Sequence, residues 1–243
     1  MLDREQYLAV LAAEVAAFLP ACERAGFSAP VPPCPGWSVS DLVWHLTEVH
    51  HFWSWIVEGG HASPEGYERP ARPTDHGALA ALHDSTARHM IDVLAAPDPE
   101  VPVWSWSDDR TVGFVLRRMA HETAVHRIDA DQASGSPAEM DASLASDGID
   151  EFLEHFLADG SAAVAAVGGS VHLHCADAAG EWTVRPAANG WDLTREHAKG
   201  DCALRGRAID LLMVLWRRSP LSMADVVGDA AVAERFVAVS SLQ

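Results

Sequence analysis

The sequence predicts an α+β chain: a four-helix bundle followed by a smaller α+β domain. Three observations lead there. The first part of the 243 residues carries long segments with apolar residues at helical spacing, separated by Pro- and Gly-rich breaks. From about residue 170 short alternating segments take over, such as Val171-His172-Leu173-His174-Cys175, which reads as a strand. Apolar residues make up 49% of the chain, enough for a packed core and too many for disorder. The change of pattern favours two domains, 1–158 and 159–243, joined near 155–169.

Each element has its own signal. Residues 2–24 read as an amphipathic helix, with Tyr7, Leu8, Leu11, Val15 and Phe18 at helical spacing. The Pro-rich stretch 26–37 cannot continue it. A second helix starts near Ser38, an N-cap with Asp41 in the first turn, and runs to Glu58 before Gly59-Gly60 stops it. Residues 61–76 form a loop. A third helix covers 77–95, closed by Pro97-Asp98-Pro99, and 100–109 is irregular and aromatic, with Trp104 and Trp106. A fourth helix covers 110–132, ended by Ser134-Gly135-Ser136-Pro137, and a fifth over 141–158 leads to a Gly-rich boundary at 160–169. Beyond it, Ala178-Ala179-Gly180 turns the first strand back onto Trp182-Thr183-Val184. Trp191-Asp192-Leu193 and Ala203-Leu204 supply further strands, and 206–217 and 229–238 are helical.

Composition excludes several function classes. Lys and Arg total 17 against 35 Asp and Glu, a net charge of −18 that repels phosphate backbones and anionic membranes, so nucleic acid is not an expected partner. No apolar run is long enough to span a bilayer, and the acidic start MLDREQYLAV does not read as a signal peptide. Cys22, Cys34, Cys175 and Cys202 are scattered with no CxxC, a pattern that suits a reducing cytoplasm and buried structural thiols. A single lysine, Lys199, stands against sixteen arginines, the mark of a high-GC, actinobacterial-type coding bias.

Chemistry concentrates on two helices. In FVLRRMAHETAVHRIDA, Glu122 and His126 are four apart and share a face with Met119, so the face turns inward. In SDLVWHLTEVHHFW, Leu42, His45, Leu46 and Val49 trace one stripe, which makes His45 a polar residue on a core-facing face. A carboxylate and imidazoles inside a bundle need a partner, and bundle cores build metal sites from facing helices. Two histidines and one carboxylate leave positions on a divalent ion open for water or substrate. The plainer alternatives are a core histidine bonded to a backbone carbonyl and an ordinary i,i+4 pair. A zincin motif is excluded, because His121 and His126 are five apart rather than four. His50, His51, His61, His76, His83 and His89 lack ligand-like spacing and read mostly as surface residues, with His50 and Glu48 as possible supports of a ligand. The tryptophans read mostly as core, with Trp37, Trp104 and Trp106 in loops able to line a pocket.

The stretch VPPCPGWSVSDLVWHLTEVHHFW resembles the N-terminal signature of the mycothiol-dependent maleylpyruvate isomerase family, in the DinB-like metal-binding superfamily. RRMAHETAVHRIDA resembles its second signature, and GEWTVRP through DCALRGRAIDLLMVLWRR to VVGDAAVAERF resembles its C-terminal, sterol-carrier-like α+β domain. The resemblance covers nearly the whole chain in order. It implies that His45, Glu122 and His126 hold zinc, or another divalent metal, and that Arg218 reaches the site, with Arg217 as its competitor. It implies mycothiol as a thiol cofactor, deprotonated by the metal, which adds to a small electrophile. Addition, bond rotation and elimination give isomerisation; release of the adduct gives thiol transfer. The competing readings are a zinc-water hydrolase and a non-catalytic metal- or small-molecule-binding protein, as monomer or homodimer.

Overall fold

In the computed structural model, residues 2–158, 160–188 and 190–239 are described. Leu2–Ala138 forms one compact unit and the chain from Glu139 the other. The first is a bundle of α1 (Arg4–Ala25), α2 (Val39–Glu58), α3 (His76–Ala95) and α4 (Val112–Ala133). Each starts on a side-chain cap that satisfies an otherwise orphaned amide: Asp3, Ser38, Asp75 and Thr111. Ser38 and Asp41 form the full reciprocal box, as the sequence predicts for that start. Helix α1 packs along α4, and α2 along α3, with further contact between α2 and α4. Leu11, Trp53, Ile56, Met90 and Met119 fill one end of the core, and Phe18, Leu42, Leu46 and Leu79 the other.

The second unit comprises α5 (Ala142–His155), α6 (Ser161–Val167), β1 (Val171–Cys175), β2 (Glu181–Ala187), β3 (Gly190–Thr194), β4 (Cys202–Gly206), α7 (Ala208–Leu215), β5 (Asp225–Gly228) and α8 (Ala230–Ala238). The sheet runs β3-β2-β1-β4-β5, with β1 and β4 parallel and the other pairs antiparallel. Among the described residues no helix is long and apolar enough to cross a membrane.

The α+β class and the four-helix bundle agree with the sequence reading. The fifth helix does not fall where a boundary at 158/159 would put it. Helix α5 lies in the second unit and packs on α7, burying Leu144, Ile149 and Phe152. Its periodicity announces a buried face but not the partner that covers it. Residues 161–167, expected as irregular, form α6, and β5 had no sequence signal. The tryptophans are also less buried than expected. Trp53 and Trp182 lie in the core, whereas Trp106 is exposed and most of the others are half-buried.

Candidate metal centre

The three residues expected to act together converge. Helix α2 buries Leu42 and Leu46 and carries His45 between them, half-buried at the edge of that face. Helix α4 is buried on nearly every side; His126 is buried and Glu122 only partly exposed. Glu122 Oε1 is the focal atom: His45 Nε2 and His126 Nε2 each lie 3.2 Å from it. The two rings stand edge to face at 4.9 Å, and Trp37 leans on His45 at 5.0 Å. Residues 28–41 also line an open cavity of about 470 Å³, with Pro30, Pro35, Trp37 and Asp41 in its wall.

Two residues behind the centre fix its geometry, and neither was singled out from sequence. Asp129 accepts a 2.8 Å hydrogen bond from His126 Nδ1 and is fully buried. A carboxylate only accepts, so Nδ1 must carry the proton and Nε2 is the atom turned to the centre. Cys34 Sγ donates to the same Asp129 oxygen at 3.7 Å. Arg118 donates to Glu122 Oε2 at 2.9 Å, which holds that oxygen aside and leaves Oε1 facing the histidines. Their signal was in RRMAHETAVHRID: an arginine four before the glutamate and an aspartate three after the histidine, both on the inward face.

The charges follow from burial and contact. Burial alone favours a neutral acid at Glu122, but His126, His45 and Arg118 outweigh it and hold the carboxyl well below its ordinary range. Burial also opposes charge on His126; Glu122 and Asp129 prevail and push it up to about 9. His50, expected among surface residues or as a support, is wholly buried, with Nε2 3.0 Å from Thr123 Oγ1. Burial, then His83, keeps it well below its ordinary value, hence neutral. His83 is buried too, its Nδ1 3.2 Å from Thr47 Oγ1. Each bonds a hydroxyl through one ring nitrogen, while the other, His50 Nδ1 or His83 Nε2, is buried with no hydrogen-bond partner. His121 packs edge-on to Tyr7 of α1, consistent with the exclusion of a zincin motif.

The donor set fits a divalent metal. One atom from each of His45, Glu122 and His126 lies within 4.8 Å of the others, both histidine donors are Nε2, and His126 is tied from behind as metal-bound imidazoles commonly are. Three of the four thiols are poor nucleophiles: burial pushes Cys22 up to about 12, and Cys175 and Cys202 up to about 11.

Arg218 belongs to the second unit, after α7. Its guanidinium donates to the Trp216 carbonyl at 3.0 Å and lies 5.6 Å from the Trp216 ring centre. Arg217 does other work. Its side chain donates to the Val237 and Ala238 carbonyls at the end of α8, and its backbone is left-handed at φ 57°. Of the two arginines, Arg217 is thus the one held by a helix end.

Comparison with known proteins covers most of the chain. Residues 8–131 match the family model described as the mycothiol maleylpyruvate isomerase N-terminal domain, and 143–235 match that of the MDMPI C-terminal domain. Among solved structures, the mycothiol-dependent maleylpyruvate isomerase superposes with a TM-score of 0.62, and a mutant of it with 0.63. Identity is 13% in both cases, and 93% of each chain is covered. Among curated proteins none matches the chain by sequence.

Proposed function

The chain belongs to the mycothiol maleylpyruvate isomerase family, and from that premise we propose that it is a mycothiol-dependent metalloenzyme of the cytoplasm acting on a small electrophile. The outcome is cis–trans isomerisation, as in maleylpyruvate isomerase, or thiol transfer. The observation that carries this reading is the convergence of His45, Glu122 and His126 on one carboxylate oxygen inside the bundle.

His45, Glu122 and His126 would hold the ion, zinc being the first choice for two imidazoles and a carboxylate. Bound there, a divalent ion stabilises the thiolate of a low-molecular-weight thiol at neutral pH, so that no protein cysteine is needed as nucleophile. The remaining work falls to the chain. Asp129 holds the His126 ring in one tautomer, and Arg118 holds the Glu122 carboxylate in one orientation. Both spare the reorganisation that a loosely held ligand set would require. The Trp37 ring packs against the His45 ring and covers part of it. Arg218, which the family resemblance singles out, carries a guanidinium suited to binding a carboxylate.

The test compares metal content and mycothiol calorimetry for wild type and Glu122→Gln. The proposal expects one metal equivalent fewer in the variant, thiol binding that requires that equivalent, and thiol-dependent turnover. Metal lost in the variant without thiol affinity would replace this reading with a zinc-water hydrolase. Equal metal content in the two proteins would remove the centre altogether.

A further inference from the structure

A second convergence lies on the sheet of the C-terminal unit. Strands β1 and β2 pair with His174 opposite Glu181 and His172 opposite Thr183, and strand alternation puts His172, His174 and Glu181 on one face. Their side chains meet. His172 Nε2 lies 2.9 Å, His174 Nδ1 3.0 Å and His197 Nδ1 2.5 Å from the same atom, Glu181 Oε1. One donor atom from each of His172, His174 and Glu181 lies within 4.8 Å of the others.

His197 comes from the segment after β3, and that segment is pinned at the two residues just before it. The Thr183 hydroxyl donates to the Glu196 carbonyl at 3.2 Å, and Arg195 Nε donates to Asp150 of α5 at 2.7 Å. The His172 side chain is 9% exposed, Glu181 26% and His197 77%, so the cluster has a closed floor and an open top.

As hydrogen bonds alone the arrangement is oversubscribed. A carboxylate oxygen offers about two lone-pair directions, yet three ring nitrogens crowd onto Oε1. Two imidazole nitrogens and one carboxylate oxygen grouped this closely, with the His197 imidazole beside them, are the surroundings of a borderline-soft cation; Mg²⁺ and Ca²⁺ prefer oxygens. Arg205 stands opposite His174 on β4, but it is exposed, so water screens its repulsion of a bound cation.

We infer that His172, His174, Glu181 and His197 form a second divalent-metal site, selective for late first-row ions such as Zn²⁺. His172, His174 and Glu181 supply three donors, and the exposed His197, hydrogen-bonded to Glu181, is placed to turn in as the fourth, which would close the site in the way structural zinc sites are closed. Its role is to clamp the β1–β2 hairpin to the segment 195–197.

The test uses the full chain carrying Glu122→Gln, stripped by a chelator, titrated with Zn²⁺ by calorimetry and with Co²⁺ by visible absorption. One equivalent is expected to bind, with the absorption of four-coordinate cobalt, and Zn²⁺ is expected to raise the melting temperature. Adding Glu181→Gln or His174→Ala should weaken that equivalent by more than about 100-fold, since groups merely behind a ligand are worth about 10–100-fold. His174 is 38% exposed, so its variant tests the site even if Glu181→Gln does not fold, and circular dichroism checks both. A Glu122→Gln chain that takes up no ion, or one whose affinity ignores both added substitutions, overturns the inference. If the helix centre were the one that failed, wild type and Glu122→Gln would bind equal amounts, with the cluster variants still sensitive.

Discussion

The helix-borne centre and the strand-borne cluster are built on one plan with different support. In each, imidazole nitrogens converge on a single glutamate oxygen, Glu122 Oε1 or Glu181 Oε1. In the helix centre the ligands are held from behind by buried charges at Asp129 and Arg118. The strand cluster has one side chain more and is open on top, placed by strand register and two anchors on the segment beside it. The difference teaches how burial divides roles. On the proposed reading, three donors would leave an ion with an open, reactive position, while a fourth donor at the surface would make a clamp.

The largest effect expected from breaking this contrast is at Glu122. Glu122→Gln keeps the shape and removes the charge at the focal atom. Thiol-dependent turnover should fall below detection and the centre's metal affinity by more than about 100-fold, read by activity assay and metal titration. The strand cluster should keep its ion. A variant that retained both turnover and metal would mean that the two histidines suffice.

Next comes Asp129. Asp129→Ala leaves the His126 Nδ1–H buried without its acceptor and the ring free to turn. Metal affinity and turnover should each drop about 10–100-fold, with the strand cluster unchanged. If Asp129→Ala matched wild type in metal titration, His126 would be oriented by its packing alone.

Both residues bear on what was legible. His45 and the pair Glu122, His126 were readable because each broke an apolar helical stripe, and a polar residue on such a stripe needs a reason. Asp129 stood three residues after His126, a spacing that places it on the same face, but it was not singled out because that spacing does not say which carboxylate is buried against the ring. The strand cluster was less legible still. His172 and His174 were read correctly as alternating strand residues, but Glu181 and His197 join them only through register and a loop fold. Helix α5 carries the same lesson, since its buried face was visible and its partner α7 was not.

A third contrast is in pH. His126 sits at about 9 with only protein groups around it, so an ion must displace a proton from it at neutral pH. Zinc affinity at the helix centre, measured with Glu181→Gln silencing the other site, should rise about tenfold per pH unit from 6.5 toward 9. The same groups act on stability in the stripped chain. His126 titrates above its ordinary 6.5, so its contribution is complete below 6.5 and is lost as pH climbs through about 9. Glu122 titrates below its ordinary 4.5, so its contribution is present above 4.5 and lost as pH falls. Urea midpoints of the stripped wild type should therefore decline from pH 6.5 to 9, and Glu122→Gln should flatten that decline. A midpoint rising with pH would place the dominant titration elsewhere.

The smallest effect separates a clamp from a fold element. His197 is 77% exposed and its ring meets His172 edge-on at 5.0 Å. Without metal, His197→Ala removes one screened contact and should change stability by less than about 0.5 kcal/mol. With zinc present, the stabilisation that mass action adds to the stripped chain should shrink, because one of four donors is gone. Three protein donors would remain, so binding should weaken while the cobalt spectrum shifts as water fills the vacated place. That pattern, silent without metal and evident with it, is what a clamp requires. Equal destabilisation in both conditions would make His197 part of an ion-pair cluster with Glu181 and nothing more.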